Sequence, residues 1–254
     1  MASFQVTLSY DGTAYAGWQI QATARTLQAE IERALEAITR QRIRVVASGR
    51  TDAGVHALGQ VISFACETRL SAAVLGRALQ AHLPPDIRVR ASQAAVPGFH
   101  AIRDAVGKRY RYVLQDGPVQ DVFSRGYAWQ VPYCLDDHLM RQAARVLVGR
   151  HDFASFQASG SPRASSVRTI RELELVRRAG VHADVIVFEV EADGFLYHMV
   201  RNLVGSLVEV GSGKRPVGWL AEVLAARDRR RAGVTAPPHG LYLLCVRYPD
   251  GVRA

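Results

Sequence analysis

The sequence has 254 residues, 48% of them hydrophobic, enough to bury a substantial core in one large domain or two of ordinary size. Lysine and arginine number 32 against 23 aspartates and glutamates, a formal charge of +9 that favours a polyanionic partner, nucleic acid first. Cys66, Cys134 and Cys245 lie far apart without C-x-x-C spacing, which argues against a disulfide framework or zinc site and for a reducing cytoplasm.

Residues 1–10 lack the basic flank and apolar core of a signal peptide. Residues 4–10 instead alternate apolar and polar side chains, as a half-buried strand does, and stop at the turn Asp11-Gly12. Leu27, Ile31, Leu35 and Ile38 recur at helical spacing behind Thr26, the expected N-cap, so an amphipathic helix follows. Residues 43–47 return as a strand and residues 61–66 make the next. Ser71 caps a helix running to Leu79, and Pro84-Pro85 blocks its continuation before a strand at residues 87–91. The order is βαββαβ.

From Lys108 the pattern begins again, with a strand at residues 110–114 and a helix at 136–148 closed by Gly149. Residues 170–177 and 185–191 read as paired strands. The apolar stretch 195–210 contains His198, Arg201, Asn202 and Glu209, so it reads as a buried helix behind Asp193 and not as a membrane span. Residues 217–226 add a helix, 241–247 supply the closing strand, and 160–168, rich in Ser, Pro and Arg, form an exposed loop. No Gly-, Ser- or Pro-rich linker separates the halves. The expectation is an α+β protein of two tandem ferredoxin-like βαββαβ halves, residues 1–104 and 105–254. Their largely antiparallel sheets lie against or continue into each other, with a cleft between them.

The chain is organised around the turn Ser48-Gly49-Arg50-Thr51-Asp52-Ala53-Gly54-Val55-His56, set between two apolar runs. Glycines on either side of Asp52 permit positive φ, so a carboxylate can be presented at the end of a sheet; the alternative is an Asx turn bonding its own backbone. Asp52 has no neighbouring acid for a glycosidase-like pair, so it would act alone, as nucleophile or base. A lone carboxylate kept ionised in a cleft needs a cation, and Arg201, one turn from His198 on the apolar helix, is the candidate; a structural ion pair elsewhere is the alternative. In Lys108-Arg109-Tyr110-Arg111-Tyr112, strand alternation places the two tyrosines on one face and the two arginines on the other. Such a strand suits either a stacked nucleobase and its phosphate or an ordinary sheet core with a solvated face. No phosphate-binding loop or dinucleotide fingerprint occurs, and Gly211-Ser212-Gly213-Lys214 follows a helix, as a C-cap does. His56, His100 and His198 show no metal-ligand spacing, so no cofactor and no metal are expected.

Taken together these segments resemble the TruA-type tRNA pseudouridine synthases. The resemblance is carried by Tyr10-Asp11-Gly12-Thr13 with Tyr15, Gly17-Trp18-Gln19, Gly49 through His56, and Gly59-Gln60-Val61. It continues through Phe99-His100-Ala101, Lys108 through Tyr112, Asp152-Phe153 with Ser155-Phe156, His198 through Gly205, and Gly240-Leu241-Tyr242-Leu243, in one order along nearly the whole chain. The resemblance implies an isomerase that converts uridines 38, 39 and 40 of the tRNA anticodon stem-loop to pseudouridine, working as a cytoplasmic homodimer without a cofactor. It also implies that Asp52 is the catalytic aspartate, Tyr110 packs on the target base, Arg201 pairs with the aspartate and Arg50 assists base flipping. Phe99, His100 and Arg103, with the loop near residues 160–164, would touch the RNA. This sequence departs from the family in carrying Ile102 where Arg commonly follows Phe-His-Ala, which shifts that contact to Arg103. Arg163 and Arg168 are assigned to the second RNA loop from charge. The competing readings are a noncatalytic basic RNA-binding or chaperone protein, and a nucleosidase that would release free uracil.

Overall fold

The computed structural model describes residues 1–160, 165–180 and 184–249. In chain order the first elements are β1 (Ala2–Tyr10), α1 (Leu27–Thr39), β2 (Val46–Ala47), β3 (His56–Cys66), α2 (Ala72–His82) and β4 (Ile87–Ala94). There follow β5 (Gly107–Asp116), β6 (Trp129–Val131), α3 (Asp137–Ala144), β7 (Gly149–Asp152), β8 (Val167–Arg178) and β9 (Val185–Ala192). The last are α4 (Met199–Gly211), α5 (Trp219–Ala226) and β10 (Leu241–Arg247). The chain divides into two compact units, one of residues 1–108 with the segment from Tyr242, the other of residues 109–241. It therefore leaves the first unit within β5 and rejoins it at the start of β10.

The first unit has the βαββαβ order read from the sequence. Its strands run β4-β1-β3-β10. β1 lies antiparallel to β3, with Phe4 opposite Phe64 and Val6 opposite Ile62, and antiparallel to β4 on its other side. Phe4, Val6, Leu8 and Tyr10 are buried at every second position, and Ile31, Leu35, Leu75 and Leu79 of the two helices are buried with them. Gly76 permits α2 to lie close to β4, since a Cβ there would stand 2.7 Å from the Ser92 Cβ. Ser71 caps α2 as expected, accepting the Val74 N–H at 3.4 Å. Thr26 does occupy the N-cap of α1, but its hydroxyl is buried and makes no cap bond.

The second edge of β3 is shared, because β1 fills the first. β2 pairs with its later part, Ala47 opposite Ile62, and β10 pairs in parallel with its start, Tyr242 opposite His56. Gly59 makes room for β10, as a Cβ there would lie 2.4 Å from the Leu244 carbonyl oxygen. The strand expected to close the second half thus also hydrogen-bonds with β3.

In the second unit the strand order is β5-β9-β8-β7, with β6 parallel to β5. β8 and β9 form a long antiparallel ribbon, Leu173 opposite Val190 and Leu175 opposite Phe188. Asp136 caps α3 by accepting the Leu139 N–H at 3.0 Å. α3 ends at Ala144, short of Val148, and tightens into a 3-10 turn at Arg145–Leu147; Gly149, at φ +107°, opens β7 instead of capping the helix. α4 begins at Met199, later than residue 195, because His198 takes a left-handed φ of +57° that no helix can continue through. Asp193 does not cap it; its Oδ1 accepts the Thr169 N–H at 3.0 Å. Among the described residues no helix is long and apolar enough to cross a membrane.

Candidate active site

In the first unit, Asp52 sits on a turn in which its carbonyl accepts the Val55 N–H at 3.2 Å. Gly54 holds the third position at φ +76°, the left-handed geometry a type II turn requires. Gly49 does not take positive φ as expected; its small size matters because a Cβ there would stand 2.8 Å from Lys108 Nζ. Asp52 is half-buried and Arg50 exposed.

The turn is fastened from below by buried polar groups. Tyr10 Oη and Thr51 Oγ1 share a hydrogen bond of 2.8 Å. Gln60, fully buried on β3, donates to the Gly49 carbonyl at 2.7 Å and to Tyr10 Oη at 3.3 Å, and its Oε1 accepts from Ser48 Oγ at 2.7 Å. Lys108 Nζ donates to the Ser48 carbonyl at 2.7 Å. Burial pushes the Tyr10 hydroxyl up to about 12 against the lowering effect of its bonds with Thr51 and Gln60, so it stays protonated. From the side, Trp18 N–H donates to the Thr51 carbonyl at 2.9 Å. Gly12 N–H donates to His56 Nδ1 at 3.1 Å, and the buried imidazole stacks on Tyr242 at 4.8 Å. A Cβ on Gly12 would lie 2.0 Å from the Val55 carbonyl oxygen, so this contact requires glycine. A backbone tied at residues 48, 49 and 51, with the His56 side chain held at its far end, gives the Asp52 carboxylate a defined position.

In the second unit, Tyr110 meets Phe195 edge-on with ring centroids 5.0 Å apart, just ahead of the helix that carries Arg201. Tyr112, on the same face of β5, is buried and donates its hydroxyl to the Pro237 carbonyl at 2.7 Å. The arginines of this strand occupy the other face and serve the sheet. Arg109 reaches Glu189 and Glu172 at 2.9 and 2.8 Å, and Arg111 reaches Glu189 at 2.6 Å. Burial would raise the Glu189 carboxyl, but the bonds from Arg111 and Arg109 outweigh it and hold it below the usual range. Arg201 is half-buried, its Nε donating to the Ala236 carbonyl at 2.7 Å.

Residues 98–104 form a compact loop of the first unit. The Phe99 ring packs edge-on against Tyr248 at 5.2 Å. His100 Nδ1 accepts the N–H groups of Ile102 and Arg103 at 3.3 and 3.2 Å, which places the proton of the neutral ring on Nε2. Arg103 is exposed, with Nη2 donating to the Gly98 carbonyl at 2.7 Å and Nε to Asp104 at 3.2 Å. Arg168 turns back on its own strand, donating to the carbonyls of Ser165 and Val167 at 3.0 and 2.6 Å. Arg163 lies outside the described residues. Among the described residues no cluster of His, Cys, Asp or Glu is arranged to hold a metal ion. Sequence reasoning did not assign roles to Gln60, Lys108, Asn202 or Thr235; the signal available was a polar residue inside an apolar run, as at Gln60 and Asn202.

A family model described as tRNA pseudouridine synthase matches residues 7–101 and 143–249. A protein named tRNA pseudouridine synthase A from Geobacillus sp. (strain WCH70) is 47% identical over 245 residues, 96% of this chain and 97% of that one. The protein of the same name from Myxococcus xanthus is 44% identical over 254 residues, 100% of this chain and 95% of that one. That of Pseudothermotoga lettingae is 42% identical over 248 residues, covering 98% and 100%. By the extent of the family match and by these identities, the chain belongs to the tRNA pseudouridine synthase family.

Proposed function

We propose that this protein isomerises uridine to pseudouridine in the anticodon stem-loop of tRNA, at uridines 38, 39 and 40, with Asp52 as the catalytic residue. The observation that carries this reading is the fastening of the Asp52 turn: Gln60, Tyr10 and Lys108 hold Ser48, Gly49 and Thr51 by side-chain hydrogen bonds while Asp52 itself stays only half-buried. The reaction breaks the N1–C1′ glycosidic bond, rotates the uracil and joins C5 to C1′, with the C5 proton released and a proton taken up at N1. It is redox-neutral, so no net electron donor enters the balance.

The target nucleotide must first leave its stack, at a cost of about a few kcal/mol. Arg50, exposed two residues before Asp52, offsets part of this by filling the vacated space and touching phosphate. Tyr110 stacks on the extruded uracil, for which aromatic packing contributes about 1–3 kcal/mol. The Asp52 carboxylate then attacks C1′, attacks C6, or takes the C2′ proton to give a glycal; each route begins with the ionised acid. Arg201, paired with Asp52, stabilises that ionised form and orients it. Tyr110 is also placed by this reading to move a proton late in the reaction. Phe99, His100 and Arg103 contact the RNA, with Arg163 and Arg168 contributing charge, and Arg103 enters already oriented by Asp104 and Gly98. The protein works in the cytoplasm as a homodimer on one tRNA.

The test is release of tritium from tRNA carrying 5-³H-uridine, by the wild type and by Asp52→Asn. Release by the wild type and its loss in the variant are expected. Near-normal release by Asp52→Asn would reject the assignment, and salt-dependent tRNA binding without any release by the wild type would favour a noncatalytic RNA-binding role.

A further inference from the structure

Within the second unit, residues 233–237 run as a strap between the helix bearing Arg201 and the strand bearing Tyr110. At one end the Ala236 carbonyl accepts Arg201 Nε at 2.7 Å, while Ala236 N–H donates to the Arg201 carbonyl at 3.2 Å. The next carbonyl, of Pro237, accepts the Tyr112 hydroxyl at 2.7 Å, two residues along β5 from Tyr110. Upstream, Thr235 Oγ1 donates to Asn202 Oδ1 at 2.6 Å. Arg229 Nη2 donates to Asn202 Oδ1 and to Thr235 Oγ1, both at 3.0 Å, and Asn202 Nδ2 ties the group to the Phe156 carbonyl at 2.8 Å. Gly233 N–H donates to Ser206 Oγ at 2.9 Å. The strap reaches α4 only because Gly205 lacks a side chain: a Cβ there would lie 1.8 Å from the Val234 carbonyl oxygen.

This is more fastening than a surface connection between a helix and a strand needs. Asn202 is fully buried and lies beside Arg201 in sequence, so its amide binds the strap exactly one residue along from the functional side chain. A bond to Nε fixes the plane of a guanidinium, whose remaining four N–H groups sit on Nη1 and Nη2 in a fork that matches a carboxylate. We propose that the strap, latched by Thr235 and Arg229 on Asn202, is the positioning element that sets the Arg201 guanidinium relative to the Tyr110 face. Thr235, Asn202 and Arg229 are positioning residues that act through Arg201, and this rests on the catalytic reading given above.

The experiment compares Thr235→Val, which keeps the shape and removes the hydroxyl, with Thr235→Ser, which keeps the hydroxyl, in steady-state and single-turnover tritium release. Thr235→Val should lower kcat by about 10- to 100-fold, as expected for a misplaced group, with KM within about twofold. Thr235→Ser should restore kcat to within about twofold of the wild type. In an Arg201→Lys background, which lacks the Nε–H, adding Thr235→Val should change the single-turnover rate by less than about twofold. Tyr112→Phe, which releases the other end of the strap without changing its packing, should repeat the fall in kcat and carries the test if Thr235→Val does not fold. Unchanged kcat in both variants, a change confined to KM, or an equal loss in the Arg201→Lys background would overturn the proposal. Full turnover by both Asp52→Asn and Arg201→Lys would instead sink the catalytic reading on which it rests.

Discussion

Replacing Gln60 with leucine tests whether the Asp52 turn is held by buried polar groups. The glutamine is fully buried and bonded to Ser48, Gly49 and Tyr10. Leucine fills a similar space but satisfies none of them, stranding the Gly49 carbonyl and leaving the Ser48 and Tyr10 hydroxyls with only their bonds to Tyr248 and Thr51. The stranded carbonyl costs about 2–3 kcal/mol and each of the two weakened hydroxyls about 1 kcal/mol, while the added apolar burial returns about 1.5 kcal/mol, so a net loss of about 2–4 kcal/mol is expected. That corresponds to roughly 6–12 °C in Tm at about 3 °C per kcal/mol. Because the lost bonds anchor residues 48 and 49, kcat should also fall by about tenfold or more, with KM little changed. Thermal melts followed by circular dichroism and tritium-release kinetics read the two effects, and Asp52→Asn serves as the control that, on the proposed function, should lose activity and keep its melting temperature. A variant that melts within about 2 °C of the wild type and keeps kcat within about twofold would refute the bracing argument.

Gly205→Ala should destabilise the protein by more than about 3 kcal/mol, because the new Cβ would meet the Val234 carbonyl oxygen at 1.8 Å; urea unfolding measures it. Arg177→Met removes the two-pronged bond to Asp116 at 2.7 and 3.0 Å and the bond to the Leu135 carbonyl at 2.9 Å, and should cost about 2 kcal/mol near pH 7. Burial would raise the Asp116 carboxyl, yet the Arg177 bond holds it below its ordinary 3.8, so its contribution is complete above that value and is lost as the pH falls through the lower folded value. The difference between variant and wild type should therefore shrink below about pH 4 in urea melts taken across the acid range. Arg40 is exposed and ends α1 at φ +61°, so Arg40→Gly should raise stability by about 0.5–1 kcal/mol, read as a higher Tm.

What the sequence disclosed was whatever repeats. The alternation of Phe4, Val6, Leu8 and Tyr10 and the helical recurrence of Leu27, Ile31 and Leu35 are periodic, so the βαββαβ order of the first unit was legible, as was the cap at Ser71. β6 and β7 are too short for any period to register. The start of α4 depends on a left-handed His198, a backbone state that composition does not encode. The site divides in the same way. Asp52 announces itself through its glycines, but the reason for Gly49 is the Lys108 ammonium beside it, a neighbour brought from far along the chain. For Arg109 and Arg111 the sequence left both RNA and the sheet open, and three glutamates on β8 and β9, Glu172, Glu189 and Glu191, decide for the sheet. The latch of Asn202 on Thr235 and Arg229 joins positions no local pattern connects.

The parallel seat of β10 beside β3 also bears on biosynthesis. As the nascent polypeptide emerges, the half that carries Asp52 already has its helices and most of its strands, yet the start of one border of β3, outside the stretch that β2 covers, stays open until every residue of the other half has been translated. Closing that border is the last stitch, so a fragment cut at residue 104 should expose a sticky strand margin and self-associate, whereas the entire polypeptide seals it.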